Sequence, residues 1–151
     1  METKEATIDI LNDLVQINND RIIGYERALR ETSVENDDLK TLFSRFIGES
    51  HQCKMELGTE IQALGEDMDT DSTTAGKIYR TWMDVKAAFT GHDRKSILAS
   101  CEFGEDAAQR AYDAALEDDE LPTFLREVIT RQKATLRAAH DEIKAMRDNA
   151  Y

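Results

Sequence analysis

ILASCEFGEDAAQRAYDAAL, residues 97–116, decides how the chain is read. Leu98, Cys101, Ala108, Tyr112 and Ala115 recur at helical spacing, yet Glu102 and Glu105 sit on or beside that apolar stripe, where a water-facing helix usually carries leucine. A carboxylate turned toward a bundle interior must find a cation, a hydrogen-bond donor or water. The stretch therefore predicts a helix inside a bundle with polar groups at its centre.

The rest of the 151-residue chain agrees with a helical bundle. It has one proline and seven glycines and is rich in Ala, Leu, Glu and Arg, a composition that favours helices over a sheet sandwich. Its length suits one domain over residues 1–151. A first helix is expected from about Lys4 to Arg30, with Leu11, Leu14, Asn18, Ile22, Tyr25 and Leu29 along one stripe. After a short polar loop, a second runs from about Asp38 to Leu64, and Gly65 is placed to end it. A third is expected from Asp93, a capping residue, to Glu117. A fourth has Pro122 in its first turn and ends near Asp148.

Between the second and third helices lies EDMDTDSTT, which lacks the glycine and final glutamate of a calcium loop. Thr74–Thr90 then reads as a shorter helix with Ile78, Trp82, Val85 and Phe89 on one face. Such a segment spans about 25 Å and can carry the chain back along a bundle, leaving helices 2 and 3 parallel. The expected fold is thus all-α: a ferritin-like four-helix bundle with a long helical crossover between helices 2 and 3. An adaptor that offers the Ile78, Trp82 and Phe89 face to a partner helix is a separate reading of that segment.

Nineteen basic against thirty-one acidic residues give a net charge of −12, spread along the chain. That field repels phosphate backbones and argues against nucleic-acid binding. No window is apolar enough to insert in a membrane, and METKEATIDIL carries no secretory signal, so a cytoplasmic protein is expected. Cys53 and Cys101 fall on apolar stripes and read as small buried hydrophobes of a reducing compartment, although a disulfide between them is an alternative. No Gly-x-Ser-x-Gly, phosphate loop or His-Glu-x-x-His occurs, so an enzyme is not the expected reading.

The chemistry sits in the polar interruptions. In an antiparallel hairpin, residues equidistant from the turn share a layer, which sets Glu49 level with Asn18, Glu102 level with Arg137, and His140 one turn further on. A di-iron or di-manganese bundle needs a Glu from each of two helices and Glu-x-x-His from the other two. Here those places hold Asn18, Glu49-x-x-Gln52, Glu102 and Arg137-x-x-His140, so three of six match. The expected reading has Arg137 and His140 neutralising the glutamates, with no resident cofactor. The alternative is an iron or manganese site drawn from Glu49, Glu102, Glu105 and His140. Tyr25 and Tyr112 read as core aromatics whose hydroxyls need partners.

LNDLVQINNDRIIGYERA, ESHQCKMELGTEIQALG, TTAGKIYRTWMDVKAAFTGHD, the opening stretch and the AAHDEI segment together resemble a bacterial family of uncharacterised ferritin-like four-helix-bundle proteins, a domain of unknown function. The resemblance spans residues 8–148. It implies the bundle fold and an association with stress responses, and it implies no established activity. The expected state of the protein is a self-associating homo-oligomer.

Overall fold

A computed structural model describes residues 2–66, 93–119 and 121–150, and among them every regular element is helical. The helices are α1 (Glu2–Glu31), α2 (Asp37–Ala63), α3 (Arg94–Leu116) and α4 (Thr123–Asp148). Each boundary falls within about two residues of its sequence expectation, although Asn36, the cap residue of α2, makes no side-chain cap bond. Asp93 caps α3 by accepting from the Ser96 amide at 2.8 Å. Pro122 lies just outside α4, as its cap residue, rather than within the first turn.

The end of α2 shows why Gly65 stands where it does. Its amide bonds the Gln62 carbonyl at 2.9 Å, and the Glu66 amide reaches back to Ile61 at 3.2 Å. That pair of bonds needs a left-handed residue between them, and Gly65 supplies φ +91°.

Cross-helix bonds fix the directions. Asn18 meets Tyr112 while Tyr25 meets Glu105, so α1 and α3 are antiparallel. Arg21 meets Ser50 while Tyr25 packs on Phe43 at 5.4 Å, so α1 and α2 are antiparallel too. Two helices that both oppose α1 run parallel to each other, as expected for α2 and α3. The hairpin partner α4 opposes α3 through Tyr112–Gln132 and Glu102–Arg147, and opposes α2 through Arg45–Glu142 and Arg131–Glu56. A parallel α2–α3 pair demands a long connection. The Thr74–Thr90 helix expected there, with its Ile78, Trp82 and Phe89 face, lies outside the described residues.

The core is divided. One apolar cluster gathers Leu11, Leu14, Ile17, Leu57, Ile61 and Ile129 with their neighbours; the other gathers Tyr25, Leu39, Phe43, Phe46, Leu98 and Ile143. Between them, at mid-height, lies a belt of buried polar groups that includes Asn18, Arg21, Ser50 and Glu105. Cys53 and Cys101 are buried free thiols. Among the described residues no helix is long and apolar enough to cross a membrane.

Two outcomes follow from these local features. Gly65→Ala should lower unfolding free energy by about 1 kcal/mol in urea titrations, since a Cβ there meets only the Lys4 Nζ at 3.6 Å and the penalty is that of the left-handed backbone. Asp13 is half-buried, and burial, aided by the Asp9 charge one turn away, raises its pKa from 3.8 to about 6. The folded chain therefore holds a proton that the unfolded chain has released, so this group's contribution falls as pH rises from about 4 to about 6. Asp13→Asn should raise the thermal midpoint at neutral pH and give no gain below about pH 4.

Candidate functional site

Arg21 forms the middle of the polar belt. It follows Leu14 and Asn18 and precedes Tyr25 on the inward stripe of α1, and its side chain is 0% exposed. A guanidinium has five N–H donors, and here all five are answered. Nε and Nη2 grip the two oxygens of Glu105 at 2.8 and 2.9 Å, and Nη1 donates to the Phe46 carbonyl at 3.0 Å and Ser50 Oγ at 2.9 Å. The remaining Nη2 donor reaches Glu49 at 3.3 Å. The guanidinium also lies 5.3 Å from the ring centres of Tyr25 and Phe46.

Glu105 is closed off from water, and the Tyr25 hydroxyl donates to it at 2.9 Å as well. Burial opposes charge on Arg21, but Glu105 outweighs it and holds the guanidinium firmly protonated. Burial, reinforced by Glu105, lifts the Tyr25 phenol well above its ordinary value. Glu49, 26% exposed, is raised by burial against the partial relief of Arg21.

A second chain of bonds runs outward beside this pair. Asn18 Nδ2 donates to the Tyr112 hydroxyl at 2.9 Å, which donates to Gln132 Oε1 at 2.7 Å. Gln132 Nε2 in turn reaches the Cys53 carbonyl and Glu56, and Glu56 pairs with Arg131 at the surface. Both phenols thus have the partners that their burial requires. This chain borders an open groove of about 320 Å³ between α2 and α4, lined by Glu49, Cys53, Glu56, Arg131, Gln132 and Thr135 among others. Burial pushes the Cys53 thiol up to about 11 and raises Cys101 and Tyr112 as well.

Of the sequence candidates, Glu49 and Glu105 meet at Arg21, whereas Glu102 and His140 meet elsewhere. Glu102 lies on the α3–α4 seam beside Asp106 and His140, and it takes Arg147 at 2.7 Å. Among the described residues these are the only three His, Cys, Asp or Glu side chains whose donor atoms all fall within 4.8 Å of one another. Arg137, expected to neutralise the central glutamates, is instead 59% exposed and pairs with Asp141. Glu49, expected in the layer of Asn18, is reached by the Arg21 side chain from one turn along α1. His51 is exposed, as expected; His92 lies outside the described residues.

The fold and belt define a class: a helical bundle with α2 parallel to α3 and, at its centre, a buried guanidinium held by glutamates. Within that class, residues 6–118 match the family described as a domain of unknown function, DUF2383, and the chain belongs to it. The match takes in α1, α2 and α3, hence Arg21, Glu49 and Glu105, whereas α4 lies beyond it. Among curated proteins none matches the chain.

Arg21→Met should lower stability by about 3–5 kcal/mol, because it leaves Glu105 buried without its cation. Arg21→Lys should recover little, since one ammonium cannot reproduce a bidentate grip plus three further bonds. The Arg21→Met/Glu105→Leu double variant should recover most of the loss, and equilibrium denaturation of the three proteins measures it.

Proposed function

We propose that this chain is a cytoplasmic, self-associating, ferritin-like bundle with a non-catalytic binding or structural role, linked to stress as its family resemblance implies. In metal-carrying bundles, inward glutamates from several helices hold a pair of cations. Here the guanidinium of Arg21 stands among the central glutamates, and that observation carries the reading. Glu105 spends both oxygens on Arg21 and Tyr25, so ligating a metal would require breaking a bidentate, desolvated pair.

The interior titratable groups support the same reading. A nucleophile or general acid–base works best with a pKa near the operating pH. Burial moves the thiols of Cys53 and Cys101 and the phenols of Tyr25 and Tyr112 the other way. Self-association would use apolar side chains left in water, of which Val34, Met55, Phe103 and Phe124 are the most exposed among the described residues.

Iron or manganese handling is the second reading. It draws on the groove between α2 and α4, which brings solvent to Glu49 at the edge of the belt.

Protein purified without chelator should carry no iron or manganese that depends on Glu105, and should oxidise Fe(II) no faster than buffer. Near-stoichiometric iron or manganese that disappears in Glu105→Gln would overturn the proposal in favour of the second reading. Sedimentation analysis should find a homo-oligomer, and a monomer at all concentrations would remove self-association.

A further inference from the structure

We propose that Glu102, Asp106 and His140 form a mononuclear site for a divalent first-row transition cation on the α3–α4 seam, separate from the Arg21 centre. Glu102 and Asp106 are four residues apart, so both project from one face of α3. His140 comes from the antiparallel α4, with Nε2 2.7 Å from Asp106 Oδ1. The three donor atoms already lie within 4.8 Å of one another, and such an ion binds each ligand at about 2.0–2.2 Å. Ligands on one such ion sit about 3.0–3.5 Å apart, so the shell closes when the wider donor pairs draw in and the His140–Asp106 pair opens to admit the ion.

Two further observations point to a ligand. His140, with its side chain 10% exposed, is held from behind: Nδ1 lies 3.0 Å from Asp141 Oδ1. A carboxylate on one ring nitrogen is the arrangement that orients a metal-binding imidazole; the other nitrogen faces Asp106 Oδ1 at 2.7 Å, where the ion would insert. Glu102, 13% exposed, has Arg147 Nη1 at 2.7 Å, and Oε1 accepts its hydrogen bond. Oε2 is closed to solvent and lies 2.7 Å from the same Nη1, in ionic contact with it but without a hydrogen bond of its own. Glu102 is thus a desolvated carboxylate held by one partly exposed guanidinium, beside an oriented imidazole and a second carboxylate.

The chemistry of the donors names the class of ion. Two carboxylates and one imidazole suit Zn²⁺, Mn²⁺, Fe²⁺ or Co²⁺. A Ca²⁺ site would want six to eight oxygens, and a soft ion would want sulfur. Arg147 is the resident counter-charge: it already shares Asp148 at 2.9 Å, and being partly exposed it can swing to water when the cation arrives. Any proton shared by His140 and Asp106 leaves at the same step. Three protein ligands leave the remaining positions to water.

The test titrates the full chain, stripped with chelator, with Co²⁺ by visible absorption and Zn²⁺ by calorimetry, in excess Mg²⁺ to suppress diffuse binding. One equivalent per chain is expected, with Co²⁺ bands that vanish in His140→Ala and Asp106→Asn. Asp141→Asn should weaken binding about 10–100-fold by releasing the ring. Arg147→Gln should tighten it several-fold, while Arg45→Gln, which removes the same charge from an exposed pair with Glu142, should not. Circular dichroism confirms that each variant is helical; if His140→Ala fails to fold, the contrast between Arg147→Gln and Arg45→Gln still decides. No binding, several weak equivalents indifferent to His140, or equal effects of the two arginine variants would overturn the site. None of these outcomes depends on Glu105, so the fate of the Arg21 centre is read separately.

Discussion

A guanidinium buried among three helices constrains this bundle more than any apolar contact does. Moving a charge out of water is expensive, and the attraction of a partner repays it only when geometry is good and every remaining donor is bonded. Arg21 meets that condition through Glu105 on α3, Glu49, Ser50 and the Phe46 carbonyl on α2, and its own position on α1. Apolar layers of leucine and alanine tolerate sliding of one helix past another. A five-donor group with fixed acceptors does not, because a shift by one turn leaves both Arg21 and Glu105 unpaired. The belt therefore sets the register of α1, α2 and α3, in the way a single polar residue specifies alignment in a coiled coil.

That constraint accounts for the divided core. Each half is an ordinary apolar cluster, one built on Leu11, Leu14, Leu57 and Ile129, the other on Tyr25, Phe43, Phe46 and Ile143. The belt touches both, since Tyr25 is at once a member of the second cluster and a donor to Glu105. On the α2–α4 side the seal is looser, and polar side chains line the groove there. The Tyr112–Gln132–Glu56–Arg131 chain carries the belt's hydrogen bonding out to solvent along that edge.

The candidate site was only partly legible in the sequence, and particular residues show why. Glu105 was legible as an inward carboxylate because glutamate on an apolar stripe is conspicuous. Its partner was harder to see: Leu14, Asn18, Arg21, Tyr25 and Ala28 form an unbroken run of three- and four-residue steps, but arginine is so commonly a surface residue that Ile22 was the natural choice for that turn. Counting residues from the turn between α3 and α4 points to Arg137, but counting gives a level and no azimuth. Arg137 faces water, and Arg147 makes the contact with Glu102. Asp106 is hidden in the sequence for the same reason, lying beside Glu105 yet turned toward α4.

The amino-acid order by itself determined the helices, their ends and the parallel arrangement of α2 and α3, because periodicity, caps and the length of a connection are local properties written along the chain. It also determined that carboxylates would enter the bundle at mid-height. Which cation answers each of them was decided only by tertiary structure. Partners 84 residues apart, as Arg21 and Glu105 are, meet according to the rotation of each helix about its axis, and that rotation is settled by the packing of all the helices together.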